Sequence, residues 1–138
     1  MKAPLAFAAM LALAACAMPG KEAPPKPFAG TKWQMVLEVP IPGEQPWIRM
    51  GDGRAEGFGG CNQFSARYLQ DTVGARAIAF GAMSSSKRAC EAGVVAVESR
   101  VLEVLHAASS YSIEGELMTM SGSGGTLRFK AIAEPAAK

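Results

Sequence analysis

The chain has 138 residues, with 14 Lys and Arg against 12 Asp and Glu, a formal net charge of +2, 49% hydrophobic and 19% charged residues. That is too apolar and too weakly charged for a disordered segment, and the near-neutral balance gives no electrostatic basis for nucleic-acid binding. The length allows one domain and excludes a dinucleotide-binding enzyme with a separate substrate domain or a (β/α)8 barrel, which leaves a small enzyme or a binding module.

Residues 1–15 carry one cation, Lys2, and then an unbroken apolar run. The run falls short of the ~20 residues that span a bilayer, so it reads as a secretory signal peptide. It ends in Leu13-Ala14-Ala15-Cys16, which resembles a bacterial lipobox. The resemblance implies cleavage before Cys16, diacylation of its sulfur and anchoring in the cell envelope. Ala17 stands where an Asp favours inner-membrane retention in enteric bacteria, which leans towards the outer membrane, facing the periplasm. The other reading is an ordinary A-x-A cleavage site with an incidental Cys. Residues 16–29 hold Pro19, Pro24, Pro25 and Pro27 among Lys and Glu. Such a stretch favours extended polyproline II chain and reads as a tether, with a proline-rich first loop as the alternative. The domain is then expected over 30–132, and 133–138 as a frayed tail.

Within the domain, Trp33, Met35 and Leu37 alternate as in a half-buried strand running towards Val39. Pro40, Pro42, Gly43 and Pro46 mark a loop. Trp47–Met50 and Arg54–Phe58 read as a hairpin around Gly51-Asp52-Gly53. Gly57, Gly59 and Gly60 suggest a bulge or a close backbone approach. Phe64 and Tyr68 share one face of a strand over 62–68, and Ile78 and Phe80 one face of the next. From about Ala89 to Ala108 the period changes to helical, with Val94, Val97, Val101 and Leu105 in one stripe and Glu91, Glu98, Arg100 and Glu103 between them. Tyr111–Ile113 and Leu117–Met120 flank a turn at Glu114-Gly115-Glu116. A longer turn over Ser121–Gly125 then leads into Thr126–Lys130. About seven short strands, one helix and no βαβ alternation predict a mainly β fold, a small antiparallel barrel or sandwich with the helix packed across it.

Candidate chemistry is sparse. Cys61 and Cys90 are an even pair in an exported chain, where a disulfide is the default; two buried thiols and a metal pair are the alternatives. Closing that loop would contribute about 3.5 kcal/mol. No metal site is expected, because a zinc centre wants four ligands and His106 is the only histidine. His106 sits near the expected helix C-terminus, where a cation suits the dipole. Ser84 and Lys87 form an S-x-x-K, the nucleophile motif of penicillin-binding enzymes, but the accompanying S-D-N and K-T-G are missing. A small serine hydrolase is therefore a remote alternative to a loop whose serine caps the helix. Gly51-Asp52-Gly53 and Gly57–Gly60 match neither phosphate-binding pattern. Met18, Met35, Met50, Met83, Met118 and Met120 are a conceivable copper set. Met118 and Met120, however, alternate as core residues do, and methionines also suit an adaptable apolar pocket.

Several of these segments together resemble the META domain (HslJ-like) family. They are Gly30-Thr31-Lys32-Trp33, the run Gly57-Phe58-Gly59-Gly60-Cys61-Asn62-Gln63-Phe64 through Tyr68, Phe80–Met83 up to Cys90, Glu98–Leu105, and Tyr111–Leu117. The resemblance covers about residues 29 to 131. It implies a lipocalin-like antiparallel barrel with one helix, in a family whose bacterial members are often envelope lipoproteins or secreted proteins, some linked to heat or antibiotic stress. It carries no catalytic residues and no cofactor. Trp33, Gly59, Gly60, Asn62 and Phe64 become signature residues with structural roles, Asn62 stapling the turn beside the cysteines. The loop before Cys90 departs from the family's usual T-x-M-A-C, since Lys87 and Arg88 stand in it. The function expected is a non-catalytic envelope lipoprotein serving envelope integrity or stress tolerance by binding an envelope partner or a small apolar molecule. A carrier of lipid or another amphiphile is the alternative.

Overall fold

In the computed structural model, which describes residues 24–71 and 76–134, the alternation at Trp33 and Met35 becomes strand β1 (Lys32–Met35), with both of those side chains buried. It ends at Met35, short of the expected Val39. From Val36 the chain swings out into a loop whose turn is closed on itself by Gln45, which donates to the carbonyls of Ile41 (2.6 Å) and Gly43 (3.2 Å). β2 (Trp47–Gly51) and β3 (Arg54–Phe58) form the predicted hairpin. Asp52 and Gly53 both have positive φ, 51° and 73°, as a tight mirror-image turn requires.

β4 (Gln63–Gln70), β5 (Ile78–Phe80), β6 (Ser84–Ser85), α1 (Ala92–His106), β7 (Ala108–Glu114), β8 (Leu117–Gly122) and β9 (Gly125–Ile132) complete the order. The strands lie β5-β4-β3-β2-β1-β9-β8-β7, all antiparallel, with β6 paired to the start of β4. The two edges meet where Ala77 bridges Ser110 and the Tyr111 N–H donates to the Arg76 carbonyl (3.1 Å), so the sheet rolls into a nearly closed barrel. The predicted mainly β fold with one helix is the fold observed. Trp33, Ile48, Met50, Met118, Met120 and Phe129 are fully buried along its axis.

α1 covers one end of the barrel, burying Glu98 against the β3–β4 loop, Val104 against the β8–β9 turn, and Val101 and Leu105 in the barrel core. Burial of Val101 and Leu105 follows the expected stripe, with Val94 and Val97 on it half-buried. The helix starts at Ala92 after Glu91, which makes no side-chain cap, so the serine cap expected from Ser84–Ser86 is replaced by strand β6. The expected turn over 121–125 is shorter: β8 continues to Gly122, which pairs with Gly125. A Cβ at Gly122 would collide with the Ala107 carbonyl, so this glycine serves close approach rather than the turn.

The other end of the barrel is covered by residues expected to be tether. Phe28 is buried, its ring 5.6 Å from that of Tyr68 and 4.7 Å from that of Tyr111. Its carbonyl accepts from the Trp33 indole (3.2 Å), and the Lys26 N–H donates to the Gly115 carbonyl (2.8 Å). The expected domain start at Gly30 is therefore too late, because one aromatic in the proline-rich run has a core site to fill. The leader, Cys16, residues 17–23 and the end of the tail, 135–138, lie outside the described residues.

Candidate functional site

The polar centre of the molecule is the β3–β4 loop, residues 59–62, held against α1. β3 delivers Gly57 beside Phe64 of the next strand, where a Cβ would stand 2.6 Å from the Phe64 ring. The Gly59 N–H donates to the Asn62 carbonyl (2.9 Å), closing the loop. Gly60 takes φ +122°, open to glycine and strained for any other residue. A Cβ on Gly59 would lie 2.7 Å from Glu98 Cγ, so the missing side chain is what lets the helix carboxyl reach the loop.

Glu98 enters that space from α1 with its side chain buried. Its Oε2 accepts from the backbone N–H of Cys61 (2.9 Å) and of Asn62, and its Oε1 accepts from the Asn62 side-chain amide, Nδ2 (2.7 Å). The amide is oriented by its other end: Asn62 Oδ1 accepts from the Arg88 N–H (2.6 Å) and the Ser86 hydroxyl (3.2 Å). Cys61 and Cys90 are disulfide-bonded, fixing the same loop to the segment that leads into the helix. One residue, Asn62, thus joins the loop, the pre-helix segment and the helix. Each polar end of the Asn62 and Glu98 side chains is committed to a partner. The arrangement is a latch that holds three segments in register, and it leaves no free acid or nucleophile for chemistry.

Sequence reasoning brought Cys61, Cys90, Asn62, Gly59 and Gly60 to one place, and they share it here. It missed Glu98 as the acceptor, since an acid between apolar helix positions reads as solvent-facing. Its only signal was an i, i+3, i+7 relation to Val101 and Leu105, which places it on their face. Trp33 and Phe64 are buried core residues and take no part in the latch's hydrogen bonds, Phe64 following Asn62 by two residues. Ser84 lies in β6, paired to Ser65, with Lys87 beyond it, both exposed. Extended chain carries a residue three places on about 10 Å away, so the motif lacks the helical turn that brings its serine and lysine together. His106 is exposed at the end of α1. Met35 in β1, Met50 in β2, and Met118 and Met120 in β8 are buried core residues, and among the described residues no group of three His, Cys, Asp or Glu side chains could hold a metal ion.

Three solved structures share the fold. An NMR structure of a protein from Burkholderia xenovorans superposes with a TM-score of 0.65 at 20% identity, covering 78% of this chain and 85% of that one. A DUF4847 family protein from Bacteroides vulgatus gives 0.55 at 13% identity, covering 78% and 96%. A further NMR structure gives 0.56 at 17% identity, covering 72% and 87%. No curated protein matches the chain. The META domain model matches residues 26–134, which takes in Phe28 and the whole barrel, and the chain belongs to this family.

Proposed function

We propose that this META-domain chain is a non-catalytic binding protein of the bacterial envelope, attached through an acylated Cys16 and facing the periplasm from the outer membrane. Its contribution to envelope integrity or stress tolerance would come from surface contact with an envelope partner or a small apolar molecule. The observation that carries the reading is how the interior is used. Trp33, Phe129, Met118 and Met120 fill the barrel axis, and the latch of Asn62 and Glu98 consumes its own donors and acceptors. A ligand carried inside the barrel would have to displace that core, so the remaining capacity for recognition is on the outside. The Cys61–Cys90 bond suits an oxidising compartment, in keeping with the leader and Cys16.

Metabolic labelling with an alkyne fatty acid, with a Cys16→Ser control, tests the anchor; crosslinking in intact cells tests the partner. The expected result is label lost with Cys16 and a discrete crosslinked species in the envelope fraction. Label that survives Cys16→Ser, or a chain recovered from the cytosol, would refute the reading.

A further inference from the structure

Where β1 ends, the chain leaves β9 behind. The Val36 N–H still donates to the Arg128 carbonyl (2.9 Å), and then Leu37, Glu38 and Val39 swing away. This opens a groove of about 840 Å3 between that segment, β9 and α1. The volume is within the roughly 300–1,000 Å3 of small-molecule sites. Its floor is apolar, with Leu37 and Leu127 half-buried. Two valines on its wall face water, Val36 at 55% and Val39 at 79% exposure. A single exposed valine is ordinary; two along one apolar trough mark a surface that gains by being covered.

The rim is cationic. Arg100 and Arg128 line it against a single carboxyl, Glu38. Arg100 makes a surface pair with Glu103 (3.3 Å), whereas Arg128 has no ion pair among the described residues. A guanidinium offers two parallel donors, which match a carboxylate better than a neutral head group. The groove also lies at the helix-covered end of the barrel, opposite the end that Phe28 covers.

The geometry points to this groove as a binding site for a long-chain monoanionic amphiphile of the fatty-acid class. Its chain lies along Val36, Leu37, Val39 and Leu127, and its carboxylate meets Arg128 with Arg100 beside it. The inference rests on the surface-binding reading above and names the ligand class and the place.

The test uses the full-length chain with Cys16→Ser, so that no acyl group of its own competes. The probe is the fluorescent fatty acid cis-parinaric acid, displaced by palmitate or by uncharged hexadecanol. Saturable binding is expected, with palmitate competing about tenfold better than hexadecanol. Arg100→Gln combined with Arg128→Gln should remove that preference while hexadecanol competes as before. Val36→Asp should weaken both competitors with the near-UV circular dichroism of the core unchanged. Absent saturation, equal competition by the alcohol, or indifference to the arginine variants would overturn the proposal. So would a concentration-dependent dimer that excludes the probe and dissolves on Val36→Asp, since the occupant would then be a second copy. Failure here leaves Cys16 labelling untouched, and failure of that labelling leaves this binding untouched, so the two are separable.

Discussion

Replacing Glu98 by Gln keeps shape and volume and changes one acceptor into a donor. The carboxyl now receives three N–H groups, from Cys61, from Asn62 and from the Asn62 amide. The amide cannot turn over to suit the change, because its Oδ1 is held by the Arg88 N–H and the Ser86 hydroxyl. If the new oxygen keeps the two backbone donors, the new NH2 faces the Asn62 NH2. A hydrogen bond to a charged group contributes about 1.5–3 kcal/mol, and a buried donor left unmatched costs about 1–3 kcal/mol. With Glu98 at 7% exposure, little water is at hand to relieve this, and the loss is expected near 3 kcal/mol. Glu98→Ala leaves all three donors and a void, at about 3–5 kcal/mol. Urea unfolding of the oxidised protein, followed by Trp fluorescence, measures both; for a domain of this size the Gln variant should also melt at least ~10 °C lower. A Glu98→Gln protein within about 0.5 kcal/mol of the parent, the range of ordinary surface changes, would refute the latch as a stabilising element.

Glycine substitutions should differ in sign by position. Gly57→Ala sets a Cβ against the Trp47 carbonyl and the Phe64 ring and should cost more than about 3 kcal/mol, read as loss of soluble folded protein. Gly60→Ala should cost about 1–3 kcal/mol through its φ of +122°. Gly93→Ala, in α1 with open space around it, should stabilise by about 0.5–1 kcal/mol in the same melts. Phe28→Ala should cost about 3 kcal/mol in urea unfolding, whereas a true tether residue would cost nothing measurable.

Much of the barrel was legible because period and turn chemistry agree locally. Trp33 and Met35 alternate, Asp52-Gly53 can adopt positive φ, and Val101 and Leu105 share a helical stripe, so each local preference names its element. The errors have a common cause, a long-range contact that overrides local composition. Phe28 sits in a proline-rich run that reads as linker until Tyr68 and Tyr111 supply an aromatic site some forty and eighty residues away. Gly122 reads as turn, and is instead a strand position where the Ala107 carbonyl leaves no room for a Cβ. Ser84–Ser85 carries no apolar alternation and becomes a strand because Phe64 and Ser65 present a free edge. The latch was half legible: the cysteine pair and the small, polar loop residues show in the sequence, while the acid that binds the loop shows only as one helix carboxylate among several.

The disulfide and the carboxyl hold the same loop by different physics, and that difference can be measured. The Cys61–Cys90 bond, across a separation of 29 residues, restricts the unfolded chain and is worth about 3.5 kcal/mol on the loop-entropy account. Glu98 acts only in the folded state, by satisfying the N–H groups of residues 61 and 62. With the disulfide intact, a protein lacking Glu98 must still keep the loop against the helix, and the unmatched donors stay buried at full cost. With Cys61→Ser and Cys90→Ser, the loop can lift into water and relieve those donors without unfolding the barrel. The cost of Glu98→Gln should therefore fall by about 1–2 kcal/mol in the cysteine-free background, the size of coupling seen between groups in one network. Hydrogen exchange at the Asn62 amide should rise towards that of open loops in the triple variant, while the Phe129 amide in β9 stays protected to the limit of global unfolding. Strictly additive losses, with the Asn62 amide still protected, would mean that the latch does not open locally and that the two restraints act only through the whole fold.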